Sequence, residues 1–285
     1  MKSAEFLTQS YKKWNISAPV LHTVLGSGLS EDLDKAVNSD WILSGELSFK
    51  EIPDFATSTV LGHPGVYRFY KNKKSQKVIS LQLGRLHGYE GLDPLQVAQS
   101  VTQIKDAGTS NFLLTNAAGS LQKKFKPGSL MIIEDQVNFT GKNPLVGKNP
   151  SLANGTEAGP RFPDMVSLYD KALSKRLKKL LLKKFQVHQG TYIGVLGPSF
   201  ETPAEVKLFS KWGMGAVGMS TVWESIALRH RGANIVGLSM LSNYGSGLVS
   251  GKALDHVEVL AQGKKSARNL LSSLFNFYGE INNEL

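Results

Sequence analysis

The chain has no cysteine among its 285 residues. That excludes disulfides, thiolate nucleophiles and cysteine-type zinc sites, and it fits a reducing compartment. Long apolar runs are missing too. Stretches such as Leu180–Leu182 fall far short of what a bilayer core demands. The N-terminal segment, 1–15, mixes Lys2, Glu5, Lys12 and Lys13 with scattered apolar residues and lacks the apolar core of a secretory signal. No Pro/Ser-rich linker, repeat or low-complexity tract marks a boundary, so 1–285 is expected to form a single domain. No two of the six histidines (His22, His63, His87, His188, His230 and His256) have the helical spacing of a zinc site, so no metal is expected. These absences lead to the expectation of a cytoplasmic protein with no membrane partner.

What is present is ordinary globular composition, 41% hydrophobic and 20% charged, with a net charge of +10 from 33 basic and 23 acidic residues. Such a balance suits nucleic acid, an anionic membrane or a small anion. Much of the excess lies in 171–184, where Lys175, Arg176, Lys178, Lys179, Lys183 and Lys184 alternate with Leu173, Leu177, Leu180 and Leu181 at helical spacing. The pattern reads as an amphipathic helix with a solvated basic face. Aromatic residues, which stacking on bases requires, are not interleaved there, so no nucleic-acid partner is expected.

Short β-rich runs alternate with helical stretches. Strands are expected at Val20–Leu25, Tyr67–Tyr70, Lys77–Leu83, Asn111–Thr115, Leu130–Ile133, Thr191–Val195 and Asn234–Leu241. Helices are expected at Pro94–Ala107, Ser167–Phe185, Pro203–Trp212, Val222–Arg231 and His256–Phe277. Capping signatures stand at Thr202 with Glu205, Thr221 with Glu224, and Asp255 with Glu258, and Gly232 is a natural stop after Arg231. The alternation predicts an α/β fold around a mixed central sheet, with ligands gathered where strands run out into loops.

Four segments at such positions carry chemistry. Leu25-Gly26-Ser27-Gly28-Leu29 bares its backbone and adds a hydroxyl, as an anion site or a plain tight turn would; it lacks the lysine of a Walker loop and the third glycine of a dinucleotide fingerprint. In Gly84-Arg85-Leu86-His87-Gly88-Tyr89-Glu90-Gly91, the side chains of Arg85, His87 and Tyr89 project from one face if the segment is extended, and arginine matches a phosphate by two parallel hydrogen bonds. Leu114-Thr115-Asn116-Ala117-Ala118-Gly119 ends a strand in small residues, which suits either a flat ligand or tight packing. The stretch from Gly197 through Phe200 and Glu201 to Val217, Met219, Ser220 and Thr221 sets an aromatic face and a carboxylate before one helix and hydroxyls before the next, whose N-terminus favours an anion. Of the histidines, His22, His188 and His230 read as structural, whereas His87 has Arg85 and Tyr89 beside it.

Taken in order, these segments resemble the trimeric, low-molecular-mass purine nucleoside phosphorylases, from about Leu25 to Gly263 and most strongly over 197–224 (GPSFETPAEVKLFSKWGMGAVGMSTVWE). The resemblance implies the nucleoside phosphorylase fold, with a partly barrel-like mixed sheet flanked by helices. It implies a homotrimer, and no cofactor beyond inorganic phosphate as co-substrate. It implies phosphate binding by Ser27, His63, Arg85, His87, the Ala117 amide and Ser220. Tyr89, Met219 and His256 would line the ribose, with Phe162 reaching in from a neighbouring subunit. Ala118, Gly119, Phe200, Glu201, Val217 and Asn243 would hold the base, and His87, Glu201, Asn243 and His256 would carry the reaction. The family usually has His at Gln136, Gly at Ser120, Pro at Trp223 and Thr at Ser242, so the shape of the base pocket is open at Ser120 and Trp223.

Glu201 with Asn243 predicts 6-oxopurine nucleosides, inosine and guanosine, as substrates. The alternative is the sister enzyme S-methyl-5′-thioadenosine phosphorylase, which typically carries an aspartate at Asn243, a small residue at Glu201 and an apolar one at His256. A nucleic-acid-binding protein, supported only by charge, and a non-catalytic nucleoside sensor are the readings from other classes.

Overall fold

The computed structural model describes residues 2–26, 28–30, 32–60, 62–249 and 256–281, the last segment with side chains only from 267 onward. Its elements are α1 (Ser3–Lys13), β1 (Leu21–Leu25), α2 (Leu33–Ala36), β2 (Trp41–Ser48), β3 (Val66–Asn72), β4 (Val78–Leu83), α3 (Pro94–Asp106), β5 (Asn111–Ser120), β6 (Leu130–Asn138), α4 (Lys171–Leu181), β7 (Val187–Gly194), α5 (Pro203–Lys211), β8 (Ala216–Gly218), α6 (Val222–His230), β9 (Asn234–Tyr244) and α7 (His256–Glu280), with 3-10 turns at Phe49–Glu51 and Gly88–Glu90.

The strands form one nine-stranded sheet in the order β2-β3-β4-β1-β5-β8-β7-β6-β9, and β5 pairs additionally with β9. That extra pairing closes β5, β8, β7, β6 and β9 into a ring, which leaves no free edge on those five strands. The remaining four extend from β5 as an open wing. The sheet is mixed: β1 lies parallel to β4 and β5, and β5 parallel to β9, while β6 runs antiparallel to β9. Strands β1 (LHTVL) and β4 (VISLQL) are buried at every residue, as expected of strands covered on both faces. One core cluster packs α2, α4 and α7 through Leu33, Leu177, Leu270 and Leu274, a second gathers α1, α3 and α6 through Leu7, Val101 and Leu228, and a smaller third holds α5 through Val206 and Phe209. The expected architecture, a partly barrel-like sheet between helices, is the one observed.

Local expectations fared unevenly. The basic stretch is a helix with Leu173, Leu177 and Leu181 buried and its lysines turned outward, but it starts at Lys171, not Ser167, because the Asp170 side chain accepts from the Leu173 amide at 2.7 Å and caps it there. Helix α5 carries the expected box, with the Thr202 amide 2.7 Å from a Glu205 oxygen and the Glu205 amide 3.3 Å from Thr202 Oγ1. Helices α1 and α2 and strands β2 and β8 were not foreseen. In β2 the alternation breaks at a bulge between Leu43 and Gly45, so the run does not read as a strand. Strand β8 has three residues and exists only as a rung between β5 and β7. Strand β5 runs to Ser120, well past the expected end at Thr115, so the small residues Ala117–Gly119 lie inside a strand. Asp255, the third expected cap, lies outside the described residues.

The histidines read as structural hold structural places. His22 is buried between Ser80 Oγ at 2.8 Å and Gln82 Oε1 at 3.3 Å, and burial lowers it to about 3, so the ring is neutral at pH 7. His188 stacks on Phe125 at 4.1 Å, and His230 meets Asn149 Oδ1 at 3.0 Å.

Candidate active site

Strands β1, β4, β5 and β9 run parallel in neighbouring positions, so their C-terminal ends open on the same side. A cavity of about 420 Å³ lies at those ends, lined by segments from many parts of the chain. His63, Arg85, His87, Tyr89, Ala117, Ala118, Gly119, Phe200, Glu201, Val217, Met219, Ser220 and Asn243, all singled out from the sequence, line it. Phe162 does not; it stands 88% exposed with Arg161 over its ring. Ser27 lies outside the described residues. His256 begins α7, but its side chain lies outside them as well. Val60, Asn116, Pro198, Gly218 and Ser242, to which the sequence reading gave no role at the site, also line the cavity, and two carboxylates without such a role, Glu90 and Glu224, stand behind His87 and Arg85.

One end of the cavity is built for an anion. Gly84 has φ +87°, and a Cβ there would lie 2.7 Å from the His63 Cα, so glycine lets the His63 segment come against the end of β4. As a result the Arg85 amide donates to His63 Nδ1 at 2.7 Å. A ring accepting at Nδ1 carries its proton on Nε2 when neutral, and burial together with His87 and Arg85 lowers His63 to about 4. Arg85 is 2% exposed; its Nε bonds Glu224 Oε1 at 3.0 Å and its Nη1 donates to the Thr115 carbonyl at 2.7 Å. Nη1 also lies 3.4 Å from Ser220 Oγ. Nη2 is buried with no protein acceptor among the described residues. The guanidinium is therefore held on two sides, and the parallel two-nitrogen grip expected from its fork is not open to a ligand; Nη2 alone is left for one.

His87, Tyr89 and Glu90 reach the site through a turn, not through the extended segment expected. The Gly88–Glu90 3-10 turn lays the Tyr89 ring on His87 at 4.6 Å and 18°. Glu90 Oε1 accepts from His87 Nδ1 at 3.2 Å and from the His87 amide at 2.8 Å, while its Oε2 accepts from the Thr59 amide at 2.7 Å and the Ser58 hydroxyl at 3.0 Å. These donors outweigh its burial and hold the Glu90 carboxyl down at about 2. An ionised Glu90 fixes the Nδ1 proton of His87 and leaves Nε2 as the imidazole's other polar face.

The expected N-cap at Thr221 does not form. Thr221 has φ 73° and ψ −47°, and the Val222 amide donates back to the Ser220 carbonyl at 2.8 Å, which makes a γ-turn. A β-branched residue at positive φ is strained by about 1–3 kcal/mol. Asn116, from β5, holds it by donating from Nδ2 to Thr221 Oγ1 at 2.9 Å. Glu224, expected to close the capping box, instead turns inward, fully buried, to Arg85. The turn presents Ser220 beside Arg85.

The other end is flatter and more apolar. Phe200 is 43% exposed toward the opening, and burial raises the Glu201 carboxyl above its ordinary range. Asn243, near the end of β9, has its amide oriented by neighbours: Oδ1 lies 2.7 Å from the Ser242 hydroxyl and Nδ2 donates to the Tyr244 carbonyl at 2.9 Å. The second Nδ2 hydrogen is left for a ligand. A Cβ at Gly119 would lie 3.3 Å from that nitrogen and 3.4 Å from Val217 Cγ1, so the small residue serves close packing around Asn243. The positions left open from the sequence stand outside the cavity lining. Ser120 Oγ turns away to the Gln122 carbonyl at 2.9 Å. Gln136 Oε1 accepts from Tyr169 and Ser225, both at 2.7 Å. Trp223 lies behind the Gly88 turn.

The match to known proteins covers nearly the whole chain. The model of the phosphorylase superfamily matches residues 24–276. Purine nucleoside phosphorylase 1 of Bacillus subtilis is 38% identical over 265 residues, 93% of this chain and 92% of the relative, and the purine nucleoside phosphorylase of Bos taurus is 35% identical over 277 residues, 92% and 90%. The structure of Schistosoma purine nucleoside phosphorylase in complex with hypoxanthine superimposes with a TM-score of 0.83 at 28% identity, covering 98% of this chain and 97% of the other. That of the Schistosoma enzyme in complex with guanosine gives 0.82 at 29%, covering 99% and 96%. By its match to the family, its fold and the identity it shares with these enzymes, the chain belongs to the purine nucleoside phosphorylases of the phosphorylase superfamily.

Proposed function

We propose that the protein cleaves 6-oxopurine nucleosides, inosine and guanosine and their 2′-deoxy forms, with inorganic phosphate, releasing the free base and (deoxy)ribose 1-phosphate. The observation that carries this reading is that one cavity brings Arg85, His87 and Ser220 to one end and Phe200, Glu201 and Asn243 to the other. The reaction breaks the C1′–N9 bond. The sugar becomes positive at C1′ while the base leaves with extra negative charge, so an anion belongs beneath the sugar and donors belong on the base.

Arg85 Nη2, a donor on neutral His63, His87, Ser220, the Ala117 amide and Ser27 hold phosphate in place before reaction, which removes the entropy cost of a three-body encounter. No covalent intermediate and no cofactor are needed. Tyr89, Met219 and His256 border the ribose. Phe200 packs on the base against Ala118, Gly119 and Val217. The free N–H of Asn243 donates to N7 as charge grows there; such a donor in a dry site is worth about 3–4 kcal/mol. Glu201, partly withdrawn from water, accepts from N1–H of a 6-oxopurine. Adenine presents a lone pair at N1 instead, and a buried mismatch of that kind costs on the order of 10⁴-fold.

Purified protein given inosine is expected to release hypoxanthine only when phosphate is added, and release without phosphate would remove the proposal. Its kcat/KM on inosine should exceed that on adenosine by about 10⁴-fold; comparable values for the two would remove the role of Glu201. The thioadenosine alternative is not favoured, since Glu201 and Asn243 both line the base end and the relatives above are purine nucleoside phosphorylases.

The enzyme is proposed to work in the cytoplasm in purine salvage, as a homotrimer in which Phe162 closes a neighbour's site. The 88% exposure of Phe162 and Val166 supports that assembly. Sedimentation should give the mass of three chains, and a monomer with full activity would end the idea. No helix among the described residues is long and apolar enough to cross a membrane.

A further inference from the structure

We propose that Trp223 is a positioning residue that sets the height of the turn carrying His87 and Tyr89; this rests on the phosphorolysis proposed above. Trp223 stands in the first turn of α6, two residues after the strained Thr221, and is 4% exposed. Its Nε1 donates to Thr140 Oγ1 at 2.9 Å and lies 3.2 Å from the Lys142 carbonyl. The far edge of the indole lies against Gly88: a Cβ built on Gly88 would fall 2.5 Å from Cζ3. Gly88 does not have the left-handed φ of its neighbours Gly84 and Gly91, so its backbone does not demand glycine. The indole does, by filling the space a side chain would take.

Trp223 thus joins three pieces that the chain keeps far apart. They are the Ser220–Thr221 turn at the head of its own helix, the 88–90 turn, and the loop at 140–142. Ser220, His87 and Tyr89 all line the cavity, and Trp223 is not among the lining residues but shares a narrow space with two of them, Met219 and Ser220. The space beside it, bounded by Gly88, Leu196, Met219 and Trp223, is only about 10 Å³, less than a side chain needs. A proline at this position, the family's usual residue, has neither a ring edge that reaches Gly88 nor an N–H for Thr140. In this chain the bonded indole therefore takes over the support of the turn.

The test is a cycle of Gly88→Ala and Trp223→Ala, with Trp223→Phe as the variant that keeps a ring but loses the N–H. Melting is followed for each, and kinetics are read below the lowest transition. Trp223→Ala should lower kcat/KM for phosphate by about 10- to 100-fold, since a displacement on the order of 1 Å at a positioning group costs that much. The loss should appear in KM for phosphate and inosine more than in kcat. Trp223→Phe should lose less than about tenfold, the worth of one hydrogen bond. Gly88→Ala should be damaging while Trp223 is present and harmless or restorative once Trp223→Ala has been made, a reversal that a general loss of packing does not produce. If Gly88→Ala costs the same in both backgrounds, or if both tryptophan variants keep normal constants while melting lower, Trp223 is only a core residue. Phosphate-dependent turnover by the unaltered protein is the control; its absence would overturn the parent reading instead.

Discussion

Replacing Asn243 by alanine should lower kcat on inosine by about 10²- to 10³-fold, with much less change in KM. The split follows from what the amide does. In the proposed reaction its free N–H meets N7 in both the bound nucleoside and the transition state, but negative charge collects on the purine only as the C1′–N9 bond opens. The bond therefore strengthens during the reaction, and its loss falls on the chemical step. The orientation of the amide is part of the effect. Ser242 donates toward Oδ1 and Tyr244 accepts from Nδ2, so the amide cannot turn its oxygen to the base without losing both partners. A steady-state comparison of the two proteins on inosine checks this. An alanine variant with normal kcat would show that another group binds the base edge.

Arg85→Ala should have two separable consequences. The first is stability. Arg85 and Glu224 are 2% and 0% exposed, and removing the cation leaves a buried carboxylate with no partner charge. Breaking such a pair on one side typically costs about 3–5 kcal/mol, a large part of a domain's stability. The second is phosphate use, where a charged hydrogen bond worth about 1.5–3 kcal/mol is lost and kcat/KM for phosphate should fall by about 10- to 100-fold. Adding Glu224→Gln removes the stranded charge. The double variant should recover much of the melting temperature but none of the phosphate dependence. Recovery of both would separate Arg85 from the anion end, and a single variant that melts like the original would show that its pair with Glu224 does not stabilise the fold.

Most of the chemistry at the site was legible because it is local in the chain. Thr202 and Glu205 lie one turn apart and make a box wherever the rest of the protein lies. The apolar runs of β1 and β4 announced buried strands. The segments around Arg85, Ala117 and Ser220 stood out by residue type, Asn243 was pointed to by the family resemblance, and the cavity collects all four. The same local habit misled at Thr221, where the spacing to Glu224 mimics a cap. The hydroxyl there bonds Asn116 and the carboxylate bonds Arg85, 139 residues earlier in the chain. Glu90 escaped notice because a carboxylate in a loop looks solvated until Ser58 and Thr59 arrive beside it.

Sequence periodicity, glycine placement and capping residues thus marked most of the stretches that became helix or buried strand and the segments suited to an anion, while the side chains for a purine were pointed to by the family resemblance. Those local signals could do so because they depend on neighbours within a turn or a strand. Tertiary structure alone decided that β9 returns to β5 and closes the ring, that Glu224 and the Thr115 carbonyl claim two sides of the Arg85 guanidinium, and that Trp223 reaches Gly88 and Thr140. The reason is physical: a hydrophobic pattern states that a face must be covered but not by what, and a buried charge takes the partner that the strand order brings within 3.0 Å.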